Sequence, residues 1–137
     1  MTTYGQPRRF NVVTVVMLLM AAAAGYWTWR FFPAYFDGWS VDHLLKEAAS
    51  STYRLNQLNE PERTKQLKAL VDKTRTDIQK QGNVTDPDLT VNLDIDGNNV
   101  SVSAEYSVVI THPMITSTTT LHFHKKEAAD IKRVNWE

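Results

Sequence analysis

The chain contains no cysteine. Disulfides, thiolate nucleophiles and thiolate metal ligation are therefore excluded, and the redox state of the compartment leaves no mark on the sequence. A basic surplus is absent too. Fifteen Lys and Arg meet fifteen Asp and Glu, and only Arg8, Arg9 and Arg30 precede Asp37, which leaves 12 basic against 14 acidic groups after it. Such a surface does not neutralise a phosphate backbone, so nucleic acid is not expected as a partner. No glycine-rich phosphate loop, nucleophile elbow or acid pair in a suitable context occurs, so nothing points to catalysis or to a bound cofactor. With 137 residues, there is room for one modest domain beside a membrane segment.

Charge is also missing from Phe10 to Trp29. A helix of that length spans roughly 30 Å, enough for the hydrocarbon core of a bilayer. Residues 10–32 are accordingly expected to form a transmembrane helix. Arg8 and Arg9 in residues 1–9 favour a cytoplasmic N-terminus by the positive-inside tendency, and Arg30 on the far side opposes it only weakly. Tyr26, Trp27, Trp29, Arg30, Phe31, Phe32, Tyr35 and Phe36 are expected at the membrane interface, where rings with one apolar and one wet edge are favoured. The competing reading is a signal peptide, with Val12 to Met20 as its apolar region and Ala21 to Ala24 supplying an A-x-A site. A mature chain starting in that aromatic cluster would expose much apolar surface, so a retained anchor is preferred. Thr14, Ala21, Gly25 and Thr28 share one helical face, and Ala21 with Gly25 forms a small-x-x-x-small pair. Such a face lets a second transmembrane helix approach closely; the simpler reading is an alanine-rich stretch facing lipid.

Beyond the span, Pro33 is expected to end or kink the helix, with residues 33–40 as a linker and Ser40 as the next N-cap. Val41, Leu44, Leu45, Ala48, Thr52 and Leu55 then recur at helical spacing. A second helix starts near Asn59, with Pro61 and Glu62 in its first turn; Leu67, Leu70, Val71 and Ile78 line one face, and Gly82 marks its end. From Leu89 the period changes to two. Leu89, Val91, Leu93 and Ile95 alternate with polar residues, Asp96 to Asn99 form a turn, and Val100 to Ile110 alternate again, which predicts a β-hairpin. A third strand carries Ile115, Ser117, Thr119, Leu121 and Phe123 on one face, and a short fourth is expected from Ile131 to Trp136. The expected fold is α+β: a transmembrane helix, then, over residues 41–137, two amphipathic helices packed on a three- to four-stranded antiparallel sheet.

Candidate sites are few. Residues 92–99, NLDIDGNN, resemble a calcium loop through Asn92, Asp94, Asp96 and Gly97, but Ser103 stands where that loop needs a glutamate, and strand alternation favours a plain hairpin turn. His122 and His124 share a strand face and could chelate a metal with His112 across the hairpin, yet no clear carboxylate or fourth ligand accompanies them, so no metal site is expected. The Ser and Thr residues from Ser101 to Thr120 alternate with apolar ones as an outer sheet face does. The mixed charges of residues 62–80 suit a solvated helix face. Asn83-Val84-Thr85 and Asn99-Val100-Ser101 are glycosylation sequons, informative only in a secretory pathway that uses them.

Residues 31–49, FFPAYFDGWSVDHLLKEAA, together with VSVSAEYSVVIT and LHFH further on, resemble a bacterial family of unknown function. Its members are short proteins with a pilin-like hydrophobic N-terminal segment, a P-A-Y motif just outside it, a helix, and a β-rich end with a Y-x-V strand. The matching positions are Pro33, Ala34 and Tyr35, then Tyr106 and Val108. The resemblance implies a membrane-anchored envelope protein and implies no activity; with the positive-inside reading, the expected location is the bacterial inner membrane with the C-terminal domain in the periplasm. The glycine and glutamate that open a type IV pilin segment are missing, which argues against pilin processing. The expected role is a non-catalytic accessory subunit of a larger membrane complex, of photosynthetic or respiratory, or of secretion or motility type. Its partners would be integral membrane subunits and membrane lipid, with a periplasmic protein as a further candidate. The alternatives are an anchored periplasmic binding module and a pilin-like component.

Overall fold

The computed structural model describes residues 11–130. It contains α1 (Val12–Leu55), α2 (Glu60–Gln81), β1 (Thr90–Asp96), β2 (Asn99–His112) and β3 (Ser117–Asp130). The strands form one antiparallel sheet in the order β1-β2-β3. The fold is thus α+β, with a long N-terminal apolar helix, one more helix and three strands; the expected fourth strand at 131–136 lies outside the described residues. The chain divides into two compact units between Pro33 and Ala34.

The first unit contributes the apolar half of α1, Val12 to Pro33. The second begins at Ala34, still inside the helix, and here the structure corrects the expected linker. Pro33, Asp37, Gly38 and Ser40 are all helical, and no break separates residues 33–40 from the amphipathic stretch after them. Packing explains why a glycine is tolerated there. A methyl group added at Gly38 would stand 3.5 Å from the Lys125 side chain and 3.6 Å from the Tyr106 hydroxyl, ordinary contact distances, so this face of the helix packs on the sheet without requiring glycine. The propensity cost of about 1 kcal/mol for a helical glycine is the kind that such packing overrides.

Val41, Leu44, Leu45, Ala48, Ala49 and Thr52 recur every three or four residues on α1 and are all buried. They meet Val100, Val102, Ala104 and Tyr106 of β2, with Ile78, Val84 and Leu89 closing the core. The buried Thr52 hydroxyl donates to the Ala48 carbonyl at 3.1 Å, so its burial leaves no unpaired polar group. The second helix contributes less than expected. Only Thr74 and Ile78 of α2 are buried, while Leu67, Leu70 and Val71 are half-buried. Its face is correctly placed but narrow, because most of its residues are charged or polar and belong in water.

Gly82 does end α2, for a different reason than helix stops usually have. Its φ is −79°, so no left-handed geometry requires glycine. A Cβ there would stand 2.7 Å from the Ile78 carbonyl oxygen and 2.9 Å from Val41 Cγ2, where neighbouring backbone and core leave no room. Replacing Gly82 by Ala is expected to destabilise the second unit by about 1–3 kcal/mol, the usual range for overpacking. A lowered urea midpoint checks this; an unchanged one would mean that α2 shifts without cost.

The β1–β2 turn has Gly97 at φ +57°, a region that glycine adopts without strain. Register pairs Asp96 with Asn99 and Asn92 with Ser103, so the calcium-like stretch is strand and turn, with Asn92, Asp94 and Asp96 on the exposed face. The expected third strand is longer than its apolar alternation suggested. It starts at Ser117, leaves Ile115 in the turn, and continues to Asp130. Lys125 and Glu127 occupy inward positions there, each half-buried.

Candidate functional site

In the first unit, every residue from Val12 to Gly25 is exposed, including Leu18 at 63% and Leu19 at 66%. Among the described residues, α1 is the one helix long and apolar enough to cross a membrane. Thr14, Ala21, Gly25 and Thr28 are exposed, and α-helical geometry places them on one face. A Cβ at Gly25 would meet nothing within 4 Å. The Thr28 hydroxyl donates to the Ala24 carbonyl at 2.8 Å, so it remains satisfied without water. Of the expected interface residues, Trp27, Trp29 and Phe32 are exposed, while Tyr26, Arg30 and Phe31 are half-buried. Trp27 and Phe31, one helical turn apart, stack at 4.8 Å.

Tyr35 and Phe36 belong to the second unit. The Tyr35 ring meets Phe123 edge-on at 5.7 Å, and Phe123 stacks on Tyr106 at 5.2 Å. Lys125 Nζ donates to Asp42 Oδ2 at 3.1 Å, with both side chains mostly buried. These contacts fasten the start of the second unit's helix to β2 and β3. The Tyr106 hydroxyl is buried without a hydrogen-bond partner. Its pKa is pushed up to about 12, first by burial and then by the negative charges of Asp42 and Asp37, so it stays neutral at physiological pH.

The second unit also carries an open concavity of about 360 Å³ on the outer sheet face, lined by Asp86, Asp88, Thr90, Glu105, Ser107, His122 and His124 among others. Beyond the last β1–β2 pair, Thr90 with Glu105, the β2 edge needs another acceptor. Asp86 supplies it. Its Oδ2 accepts from the Ser107 backbone N–H at 2.6 Å, and its Oδ1 accepts from the Asp88 N–H at 2.9 Å. With both oxygens so placed, this carboxylate acts as a clasp for the strand edge. Ser107 Oγ lies 2.8 Å from His122 Nδ1, but Asp86 engages backbone, so the three do not form a nucleophile relay. Glu105 lies 3.5 Å from His124 Nδ1.

His112 does not join this group. It sits buried on the inner sheet face, 2.9 Å from Thr119 Oγ1, opposite to the face of His122 and His124. Strand alternation separates them, and among the described residues no group of three His, Asp or Glu is placed to hold a metal ion. Asp86 was not foreseeable as a partner of Ser107: Asp-Pro-Asp at residues 86–88 signals a turn, but nothing local marks its distant partner. Compared with known proteins, the chain matches no family model, no curated protein and no solved structure.

Proposed function

We propose that this protein is a non-catalytic, single-span accessory subunit of the bacterial inner membrane, with its N-terminus in the cytoplasm and its α+β domain in the periplasm. Its role is to assemble or stabilise a larger membrane complex, of energy-transducing or of secretion and motility type. The observation that supports this most is the exposure of α1 from Val12 to Gly25, an apolar surface that water does not favour. The open face at Gly25 supports helix-to-helix docking in lipid, where small residues allow close approach. The resemblance carried by Pro33, Ala34, Tyr35, Tyr106 and Val108 agrees with an anchored envelope protein.

Purification in mild detergent tests the proposal. Stoichiometric recovery with integral membrane subunits is expected. Because a side chain at position 25 meets nothing within the chain, Gly25→Leu should leave the fold intact and weaken recovery of the partner by roughly tenfold, about 1.4 kcal/mol. Unchanged recovery would remove this face from the interface. The second reading, an anchored binding module, is favoured by the concavity around Asp86, Glu105, His122 and His124. It predicts a lone anchored monomer that captures a soluble periplasmic protein.

A further inference from the structure

The distal halves of β2 and β3 form a ribbon without β1. Pairing with β1 stops at Glu105, whereas the β2–β3 register continues to His112 and Ser117. Two contacts within the second unit give the ribbon's direction: Asp42 with Lys125, and Tyr35 with Phe123. Going from Asp42 to Tyr35 leads toward Ala34, the first residue of that unit, and going from Lys125 to Phe123 leads toward the hairpin tip. The tip therefore lies at the Ala34 end of that unit. Ala34 is also where the chain continues into its apolar segment.

The composition of the ribbon matches that location. Between Glu105 and Lys125 there is no Asp, Glu, Lys or Arg, although charged residues make up 22% of the chain. Met114 is 88% exposed, Ile115 69% and Val109 61%. Serine and threonine fill most of the remaining outward positions near the tip. Uncharged strands ending in two large apolar side chains are poorly suited to water and well suited to the boundary between headgroups and acyl chains.

The geometry points to the β2–β3 tip, Pro113 to Thr116, as a second membrane contact that places Met114 and Ile115 in the interfacial layer of the phospholipid bilayer. This rests on the anchored reading above. The anchor keeps the tip at high local concentration near lipid, so two apolar residues suffice where a free domain would need more. Two attachments, rather than one, then hold the domain at the surface.

The absence of cysteine makes the test direct. Met114→Cys, Ile115→Cys and, at the opposite end of β2, Asn98→Cys each introduce one thiol for an environment-sensitive fluorophore at an exposed position. The full chain is placed in vesicles of phosphatidylethanolamine and phosphatidylglycerol, with and without lipids bearing a nitroxide quencher. The expected result is a blue-shifted signal at 114 and 115, quenched at least about threefold more strongly than at 98. Equal water exposure at all three sites in a chain that floats with the vesicles overturns the tip contact and spares the anchor. A blue shift insensitive to lipid nitroxide means that protein covers the tip, which also overturns it. A chain that fails to float overturns both readings.

Discussion

Replacing Leu45 by Ala is expected to destabilise the second unit by about 2–5 kcal/mol, the range for emptying a buried leucine site. Leu45 is fully buried among the α1 and β2 residues of the core. Alanine is the best helix former, so the change does not weaken α1 itself and the loss reports the cavity. Small domains have total stabilities of about 5–15 kcal/mol, which makes this a large fraction. β2 amides should exchange with solvent faster by roughly 30-fold or more, since core amides open only with the whole unit. Leu67→Ala on the half-buried face of α2 is the internal comparison and should cost under about 1 kcal/mol. If the two variants cost the same, α2 is a full partner in the core.

The same core explains how an edge strand with inward charges is kept. Lys125 faces α1 and finds Asp42, while its stem lies near Gly38. Both charged side chains remain partly accessible, so the pair contributes modestly to stability. A charged residue pointing inward on β3 also makes pairing of this edge with a foreign strand unfavourable. The stacked Tyr106 and Phe123, with Tyr35 edge-on, add apolar contact at the same level of the sheet.

Much of this architecture was legible in the sequence because burial is periodic. Val100, Val102, Ala104, Tyr106 and Ile110 alternate inward as expected, and Asp96 to Asn99 turn where the pattern resets. The helix limits near Asn59 and Gly82 were equally visible. Three features were not. The helix runs on through Pro33 and Gly38, and at Gly38 the packing partners, Tyr106 and Lys125, lie far away in sequence. β3 continues past Phe123 in unbroken pairing with β2, with Lys125 inward against an acceptor on α1, which hydrophobic alternation cannot register. The Asp86 clasp depends on β1 ending before β2 does, a mismatch known only once register is set.

Replacing Val16 and Leu19 together by Asp should separate membrane attachment from folding. Both side chains are exposed, at 48% and 66%, so neither change disturbs a core. Near the middle of a spanning helix each aspartate costs about 3 kcal/mol, roughly 6 kcal/mol for the pair, or about four orders of magnitude in partition. Long basic side chains reach the interface and soften such a penalty, but the short aspartate side chain does not. The expected outcome is a chain that moves from the membrane fraction to the soluble one while its β-sheet signal in circular dichroism is retained. A doubly substituted chain that still resists alkaline extraction from membranes would show that Val12 to Trp29 is not the anchor. Loss of the sheet signal along with attachment would show that the second unit needs the membrane to fold, and the two units could then no longer be treated as energetically separate.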